Sequence, residues 1–382
     1  MRLGIDASNL IDGGGVTHLV ELLRAAKPPD FGFSEVIVWG RSNILDQLSP
    51  RPWLQLVREP ALDGNLVRRT IWKVTSLDNR VRRARCDVLF LPGSSYSGSF
   101  RPFVTMVRNL APFDDDALQL YGLSWMRFKF RLLRWISSQT FRRGAGVVFL
   151  TSTAQSVVTS VTGPLSGRTA VIPHGISGEF LRPVQPQQSL ACYSESRPFR
   201  LLYVSRLEPY KHHGTLIASV LRLRNQGYPI VLDLAGKEGP SSAEVQKQIS
   251  DGDPERIAVR YHGSVSYSQL PSLYHGADAF VFASSCENLP NILLEAMSAG
   301  LPIASSNRSV MPEILGPAGF YFDPESQESI SNALIELLSN PTRRYEIAIE
   351  ARERVRDQTW EHCAQQTFAF LRTIATESAK LN

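Results

Sequence analysis

The stretch DAFVFASSCENLPNILLEAMSAGLPIASS, residues 278–306, reads as strand, loop, helix and strand in succession. An apolar, aromatic-rich run ends near Ser284, and Glu287 falls in the loop that follows. Pro290 suits the first turn of a helix, and Gly300 suits the residue after its last turn. PIASS at 302–306 then restarts a β-branched run. A strand, a short helix and a second strand make the βαβ unit of a parallel sheet.

The same alternation runs through the whole chain. Candidate strands are RLGID (2–6), EVIVW (35–39), DVLFL (87–91), FVTMV (103–107), GVVFL (146–150) and TAVIP (169–173). Residues 181–199, with three prolines and no clear period, read as a linker. The pattern resumes with RLLYVS (200–205), IVLDLAG (230–236), RIAVRYHG (256–263), DAFVFAS (278–284), PIASS (302–306) and GFYFD (319–323), and from about 325 onward the chain reads as helical. The expected fold is α/β with two parallel-sheet domains. The division is an N-terminal domain over 1–180, a linker over 181–199, a C-terminal domain over 200–358 and a closing helix over 359–382. Open sheets bind ligands at the carboxyl ends of their strands, so two such domains imply a ligand cleft between them.

Composition narrows the class. The 382 residues are 43% apolar and 20% charged, which excludes bulk disorder and fibrous repeats. No apolar run reaches the roughly 18 residues of a spanning helix. Asp6 interrupts any leader-like apolar start, and cysteines 86, 192, 286 and 363 show no metal or disulfide spacing, so a cytoplasmic location is expected. Charge is uneven: residues 1–190 carry +9 and the remainder −4, within a total of +5. A basic first half suits an anionic partner such as a membrane surface or a phosphate-bearing substrate; no nucleic-acid-binding motif is present.

Several residues carry candidate chemistry. GGGVTH at 13–18 opens a helix soon after the first strand, where the amides near Gly14 and Gly15 can approach a phosphate or sugar. His18 occupies the third small-residue place of a dinucleotide fingerprint, so that reading fails. Arg206 and Lys211 follow a strand and precede a helix, as a diphosphate clamp requires. Glu295 lies inside an apolar helix and needs a partner if buried; vicinal ribose hydroxyls are suitable donors. Backbone around Asn288, Leu289, Pro290 and Asn291 offers a further pocket for charge or oxygen. Eight residues of helix would span roughly 12 Å, so the spacing of Glu287 and Glu295 does not favour a hydrolase pair at roughly 5–9.5 Å.

These segments resemble retaining family 4 glycosyltransferases, of the glycosyl transferases group 1 class. Glu287 to Glu295 followed by AMSAGLP is similar to the family's Glu-x7-Glu motif. VSRLEPYK resembles its G-R-L-x-x-x-K segment with Ser205 in place of glycine, and VIPHGIS (171–177) resembles its N-G-V-D segment. GGGVTH resembles the glycine loop, and TWEHCAQQTFAFL (359–371) the closing helix. The resemblance implies a GT-B fold: two Rossmann-like domains facing a cleft, with a final helix crossing back to the first. It implies a nucleotide diphosphate sugar donor, no cofactor and no required metal. By motif position Arg206 and Lys211 would hold the diphosphate, Glu295 the ribose, and Glu287 with the backbone near Leu289 and Pro290 the donor sugar. Gly15 would approach the donor phosphates. Arg206, Lys211 and Glu287 are the catalytic candidates.

There are departures. The family often has His-Asp near residue 108, where this chain has Arg108 and Asn109. Asn109 can hydrogen-bond a sugar and Arg108 can bind phosphate; with His174, in place of the usual Asn, they are the acceptor-side candidates. SWMRFKFRLLRWISSQTFRR (124–143) is a basic amphipathic pattern. It suits docking to an anionic membrane, or equally a domain helix with its aromatics in the core. The expected activity is transfer of a hexose to a glycan or lipid-linked acceptor in surface polysaccharide assembly, at the inner face of the cytoplasmic membrane. Two rivals stay open: a nucleotide-sugar epimerase, and a non-enzymatic nucleotide-sugar-binding or membrane-associated subunit.

Overall fold

The structure, a computed structural model, describes residues 1–11, 13–93 and 95–381. The chain forms two compact units. Unit 1 comprises Met1–Asp114, Leu123–Gly175 and Gln358–Asn382; unit 2 comprises Asp115–Gly122 and Ile176–Asp357. The eight-residue excursion Asp115–Gly122 into unit 2 has no signal in the sequence pattern.

Unit 1 is built on strands β1 (Arg2–Asp6), β2 (Glu35–Gly40), β3 (Leu54–Arg58), β4 (Val88–Leu91), β5 (Phe103–Met106), β6 (Gly146–Phe149) and β7 (Arg168–Val171). They form one parallel sheet in the order β3-β2-β1-β4-β5-β6-β7. Central strands such as VLFL and FVTM are buried at every position, as expected when helices cover both faces. The edge strand β3 is only half-buried and follows Pro50 and Pro52, and its sequence pattern does not announce it. The helix Trp360–Leu381 belongs to this unit. It lies close over β6, because a Cβ on Gly146 would come within 2.8 Å of the Phe370 ring. Phe368 packs near Phe31 and Phe33, and Glu377 pairs with Arg168.

Unit 2 is built on β8 (Phe199–Val204), β9 (Ile230–Ala235), β10 (Val259–Tyr261), β11 (Ala279–Phe282), β12 (Ile303–Ser306) and β13 (Phe320–Phe322). Its parallel sheet has the order β10-β9-β8-β11-β12-β13. In both sheets the order reverses beside the first strand, between β1 and β4 and between β8 and β11. Ligands of such sheets bind at the carboxyl ends of the strands at that reversal.

Residues 181–198 are mostly irregular, yet they are anchored on unit 2. Arg344, fully buried, donates from Nη1 to the Leu337 and Leu338 carbonyls at 2.7 Å each. Its Nη2 donates to the Gln188 carbonyl at 2.5 Å, and its Nε to Gln187 Oε1 at 3.1 Å. One guanidinium thus satisfies the end of the helix Gln327–Ser339 and pins the irregular segment. Arg344→Met should lower the stability of unit 2 by about 2–4 kcal/mol, because these acceptors lose a charged donor. Urea unfolding followed by circular dichroism would show the fall in midpoint.

Candidate functional site

The strands β8 and β11 pair through Leu201 with Ala279 and Leu202 with Phe280. Their C-terminal loops therefore leave the sheet side by side at the reversal. The loop after β8 carries Arg206, Lys211 and His212; the loop after β11 carries Ser285, Glu287 and Asn288.

The two loops are joined at three points. Ser285 N–H donates to the Tyr210 carbonyl at 2.8 Å. His212 Nε2 and Ser285 Oγ lie 2.8 Å apart. Lys211 Nζ forms an ion pair with the Glu287 carboxylate. Lys211 is only 7% exposed, with its ammonium 5.4 Å from the centre of the Tyr210 ring and 5.5 Å from that of Phe282. A charge in such surroundings needs its counter-ion. Ser309 fixes the far side of Glu287: its hydroxyl accepts from the Glu287 N–H at 3.2 Å and donates to the Glu287 carbonyl at 3.0 Å. His212 and Ser309 both adopt left-handed backbone, at φ 47° and 55°. Neither is a glycine, and the contacts around each hold it in a sparsely populated conformation.

Arg206 is held by a different set of groups. Its Nε donates to the Glu238 carbonyl at 3.1 Å and lies 3.3 Å from Glu208 Oε1, while most of the side chain is exposed. Glu208 also accepts from the Tyr121 hydroxyl at 3.1 Å, which anchors the excursion Asp115–Gly122. The loop after β9 approaches closely here: a Cβ on Gly236, at φ +154°, would lie 1.9 Å from the Ser205 carbonyl oxygen. Ser205, which stands where the resembling motif has glycine, places its Oγ 3.3 Å from Nε2 of the buried His213.

Glu295 lies in the helix Asn291–Ser298, buried to 5% exposure. The Tyr274 hydroxyl is 3.0 Å from its Oε2, the partner that an acid in so apolar a helix requires. No cation pairs with it among the described residues. Burial raises its pKa to about 7, and the Tyr274 hydrogen bond opposes only part of that rise. Asn288, Leu289 and Pro290 are buried beside it, with Asn291 half-buried at the helix start. Pro290 has no N–H and the Glu287 N–H is taken by Ser309, so any donors to a ligand there come from the remaining amides. The structure thus brings Lys211 and Glu287 into contact and engages Arg206 and Glu295 with other neighbours. Tyr274, Ser285, Ser309, His212 and Glu208 are partners that the motif reading did not single out; their signal is spatial, because they lie on other elements or in unremarkable loop sequence.

In unit 1, Gly13 has φ +65° and the helix Gly14–Ala25 follows it. Arg108 packs its guanidinium on Gly15. Asn109 Oδ1 accepts from the Ala111 N–H at 3.1 Å, so this side chain closes its own turn. His174 is buried between His18, with ring centres 4.7 Å apart, and Trp360, at 5.9 Å. Burial, with the neighbouring His18 and Arg108, pushes the His174 pKa well down. A neutral ring packed at a tilt between two others fills the core at that point.

The helix Trp125–Arg143 buries only residues near its C-terminal end, Ser137, Ser138, Thr140 and Phe141. Its aromatic stripe does not enter the core: Trp125 is 74% exposed and Trp135 63%, with Phe128 and Leu132 also exposed. A second helix, Leu66–Thr75, exposes Leu66, Val67, Ile71 and Val74. Both helices are fixed to the segment after β4: Lys73 Nζ donates to the Ser95 carbonyl at 2.5 Å, and Thr140 Oγ1 accepts from the Tyr96 N–H at 3.0 Å. Among the described residues no helix is long and apolar enough to cross a membrane, and no cluster of His, Cys, Asp or Glu is arranged to hold a metal ion.

Two parallel Rossmann-like sheets with loops gathered at the switch point define a GT-B type protein, and comparison with known proteins agrees. A sucrose-phosphate synthase from Thermosynechococcus elongatus superposes with a TM-score of 0.77 at 17% identity, covering 99% of this chain and 100% of that one. Anabaena HepE in complex with UDP and glucose superposes at 0.69 and 17% identity, covering 98% and 100%. The glycosyl transferases group 1 family matches residues 193–354, so the segment that holds unit 2's sheet is similar to that family. O-antigen chain mannosyltransferase B of Escherichia coli is 31% identical over 169 residues, 44% of each chain. The match spans less than half the length of that relative.

The raised carboxyl of Glu295 has a consequence for stability. Between about pH 4.5 and 7 the folded protein keeps a proton that the unfolded chain has lost, so stability falls as pH rises through that window. Glu295→Gln removes the ionisable group. Relative to wild type its stability should improve between pH 5 and pH 8 by on the order of 3 kcal/mol. Denaturant unfolding of both proteins at the two pH values measures the difference.

Proposed function

We propose that this protein is a retaining glycosyltransferase that moves a hexose from a nucleotide diphosphate sugar to a glycan or lipid-linked acceptor in surface polysaccharide assembly. The observation that carries the reading is the joined pair of loops at the β8–β11 reversal, with Lys211 and Glu287 in contact and the buried Glu295 behind them, all within the family-matched segment. The names of similar proteins support it: an O-antigen mannosyltransferase among sequence relatives, and a structure holding UDP and glucose among fold neighbours.

On this reading, Arg206 and Lys211 meet the charge of the diphosphate. Glu208 and Glu287 keep those cations paired until the donor arrives. The vicinal ribose hydroxyls donate to Glu295, which favours its ionised form. Glu287 then meets the sugar hydroxyls. No side chain is assigned as a nucleophile. The acceptor hydroxyl attacks the anomeric carbon on the face the diphosphate leaves, the bond to the diphosphate breaks, and the hydroxyl proton passes to the leaving phosphate oxygen; stabilising that phosphate is the main contribution of the protein. The reading assigns that charge to side chains and amides and calls for neither metal nor cofactor. The exposed apolar stripes of Trp125–Arg143 and Leu66–Thr75, with Lys129 and Arg131 beside the first, support a unit 1 surface that rests on an anionic membrane and meets a lipid-linked acceptor.

Thermal unfolding against UDP, GDP, ADP, dTDP and NAD tests the donor site. One nucleoside diphosphate at 100 times its dissociation constant should add about 2.7 kcal/mol to wild type, and the shift should vanish in Glu295→Ala. A shift with NAD alone, or with none of the five, defeats the reading; conversion of the nucleotide sugar without an acceptor marks an epimerase instead. For the membrane surface, sedimentation with phosphatidylglycerol vesicles should fall at least tenfold in Trp125→Ser/Trp135→Ser. Both side chains are exposed, so folding should be unchanged, and equal sedimentation rejects the membrane role.

A further inference from the structure

Arg206 and Glu208 lie in the loop after β8, and the contact between them is lopsided. Glu208 Oε1 is 3.3 Å from Arg206 Nε, and the Glu238 carbonyl accepts from the same nitrogen at 3.1 Å. Nη1 and Nη2 have no partner among the described residues. The guanidinium is thus gripped by its inner nitrogen, and its outer fork stays open. That fork is the part of an arginine that takes two phosphate oxygens at once. The Arg206 side chain is 61% exposed and that of Glu208 only 13%. Of the two, the cation has room to turn toward a ligand and the anion has not.

A carboxylate so placed needs donors of its own. Among the described residues its Oε1 has Arg206, and its Oε2 has the Tyr121 hydroxyl at 3.1 Å. Burial, with the charge of Glu208, pushes the Tyr121 pKa up. The phenol therefore keeps its proton and donates it to the carboxylate.

Tyr121 comes from the excursion Asp115–Gly122, which belongs to unit 2 although the chain on either side belongs to unit 1. The segment is firmly seated. Ala117 and Leu118, in the short helix Asp115–Gln119, are buried. Leu120 lines a groove together with Glu208 and Pro209. The hydroxyl thus reaches Glu208 from a fixed base, 87 residues away in sequence.

We propose that Tyr121 is a positioning residue of the nucleotide site: its hydroxyl holds Glu208, and Glu208 aims the open fork of Arg206 at the diphosphate. The identity of the ligand rests on the nucleotide-sugar reading; the relay of contacts from Tyr121 through Glu208 to Arg206 does not. Once the fork takes phosphate oxygens, its positive charge is shared with the diphosphate, and Glu208 loses part of its counter-charge. Tyr121 then carries more of the stabilisation of that anion. Its hydrogen bond is worth more in the bound state than in the free one, and only such a difference changes affinity. The excursion tunes affinity for the diphosphate with no contact of its own to the ligand.

The test is isothermal titration of UDP, GDP, ADP and dTDP into the full chain, with folding checked by circular dichroism. The diphosphate that binds wild type is then titrated into Tyr121→Phe, Glu208→Ala and Arg206→Met, and into the two double variants that add Tyr121→Phe to Glu208→Ala or to Arg206→Met. Tyr121→Phe keeps the ring and removes only the hydroxyl, so folding should be unchanged. It should weaken binding about fivefold, a typical coupling within one hydrogen-bonded network. Added to Glu208→Ala or to Arg206→Met, it should change the dissociation constant by less than about twofold, because the relay is already cut. A loss that persists in either double variant overturns the proposal, since a structural role or a direct ligand contact of Tyr121 does not pass through Glu208 and Arg206. Wild-type affinity in Tyr121→Phe removes the relay and leaves the donor reading in place. A wild-type chain that binds none of the four removes the donor reading and the relay with it.

Discussion

The contact between Lys211 and Glu287 is the constraint around which unit 2 is arranged. Neither charge could be withdrawn from water alone, and together they join the loops of two strands adjacent only in space. The other features of the region serve that contact. The Ser285 amide on the Tyr210 carbonyl and the His212 contact with Ser285 close the loops on each other. Ser309 grips both backbone polar groups of Glu287, at the expense of a left-handed serine. A dense set of contacts holds backbone in such conformations, and a region so held presents its charges without further reorganisation.

Glu295 works against stability. An apolar residue in its place would pack among Leu293, Leu294, Ala296 and Met297 without cost. One tyrosine hydroxyl is too little to offset the loss of water, so the carboxyl stays protonated up to about pH 7. A ligand that brings two hydroxyl donors would relieve that deficit. On the proposed reading, the penalty in the free protein and the affinity for a diol would be two sides of one arrangement.

Unit 1 shows the same principle with the opposite sign. Arg108 is a cation set against the Gly15 backbone, its Nε buried without an acceptor among the described residues. The His18, His174 and Trp360 rings pack at a tilt where the first helix, the segment after β7 and the closing helix meet. The remaining surface of this unit carries apolar side chains that its core does not use, on two helices tied to one segment.

The sequence by itself determined the fold class. Apolar runs buried on both faces are continuous in sequence, so β1, β4, β8 and β11 are legible as strands, and the turn chemistry of Pro290 and Gly300 brackets the helix that holds Glu295. It marked Arg206, Lys211, Glu287 and Glu295 as residues of interest, because charged groups at strand ends stand out against apolar neighbours. It did not show β3, whose half-buried edge alternates too weakly, nor the assignment of Asp115–Gly122 to unit 2. Only the tertiary structure decided which charges meet. Lys211 and Glu287 are 76 residues apart, Tyr274 and Glu295 are 21, and Arg108 reaches a glycine at the start of the helix that follows β1. It also decided that the aromatics of Trp125–Arg143 face outward, a choice that periodicity leaves open. Local pattern reports whether a residue is buried and in which element. Partnership depends on strand order, and strand order is fixed by packing between elements distant in sequence.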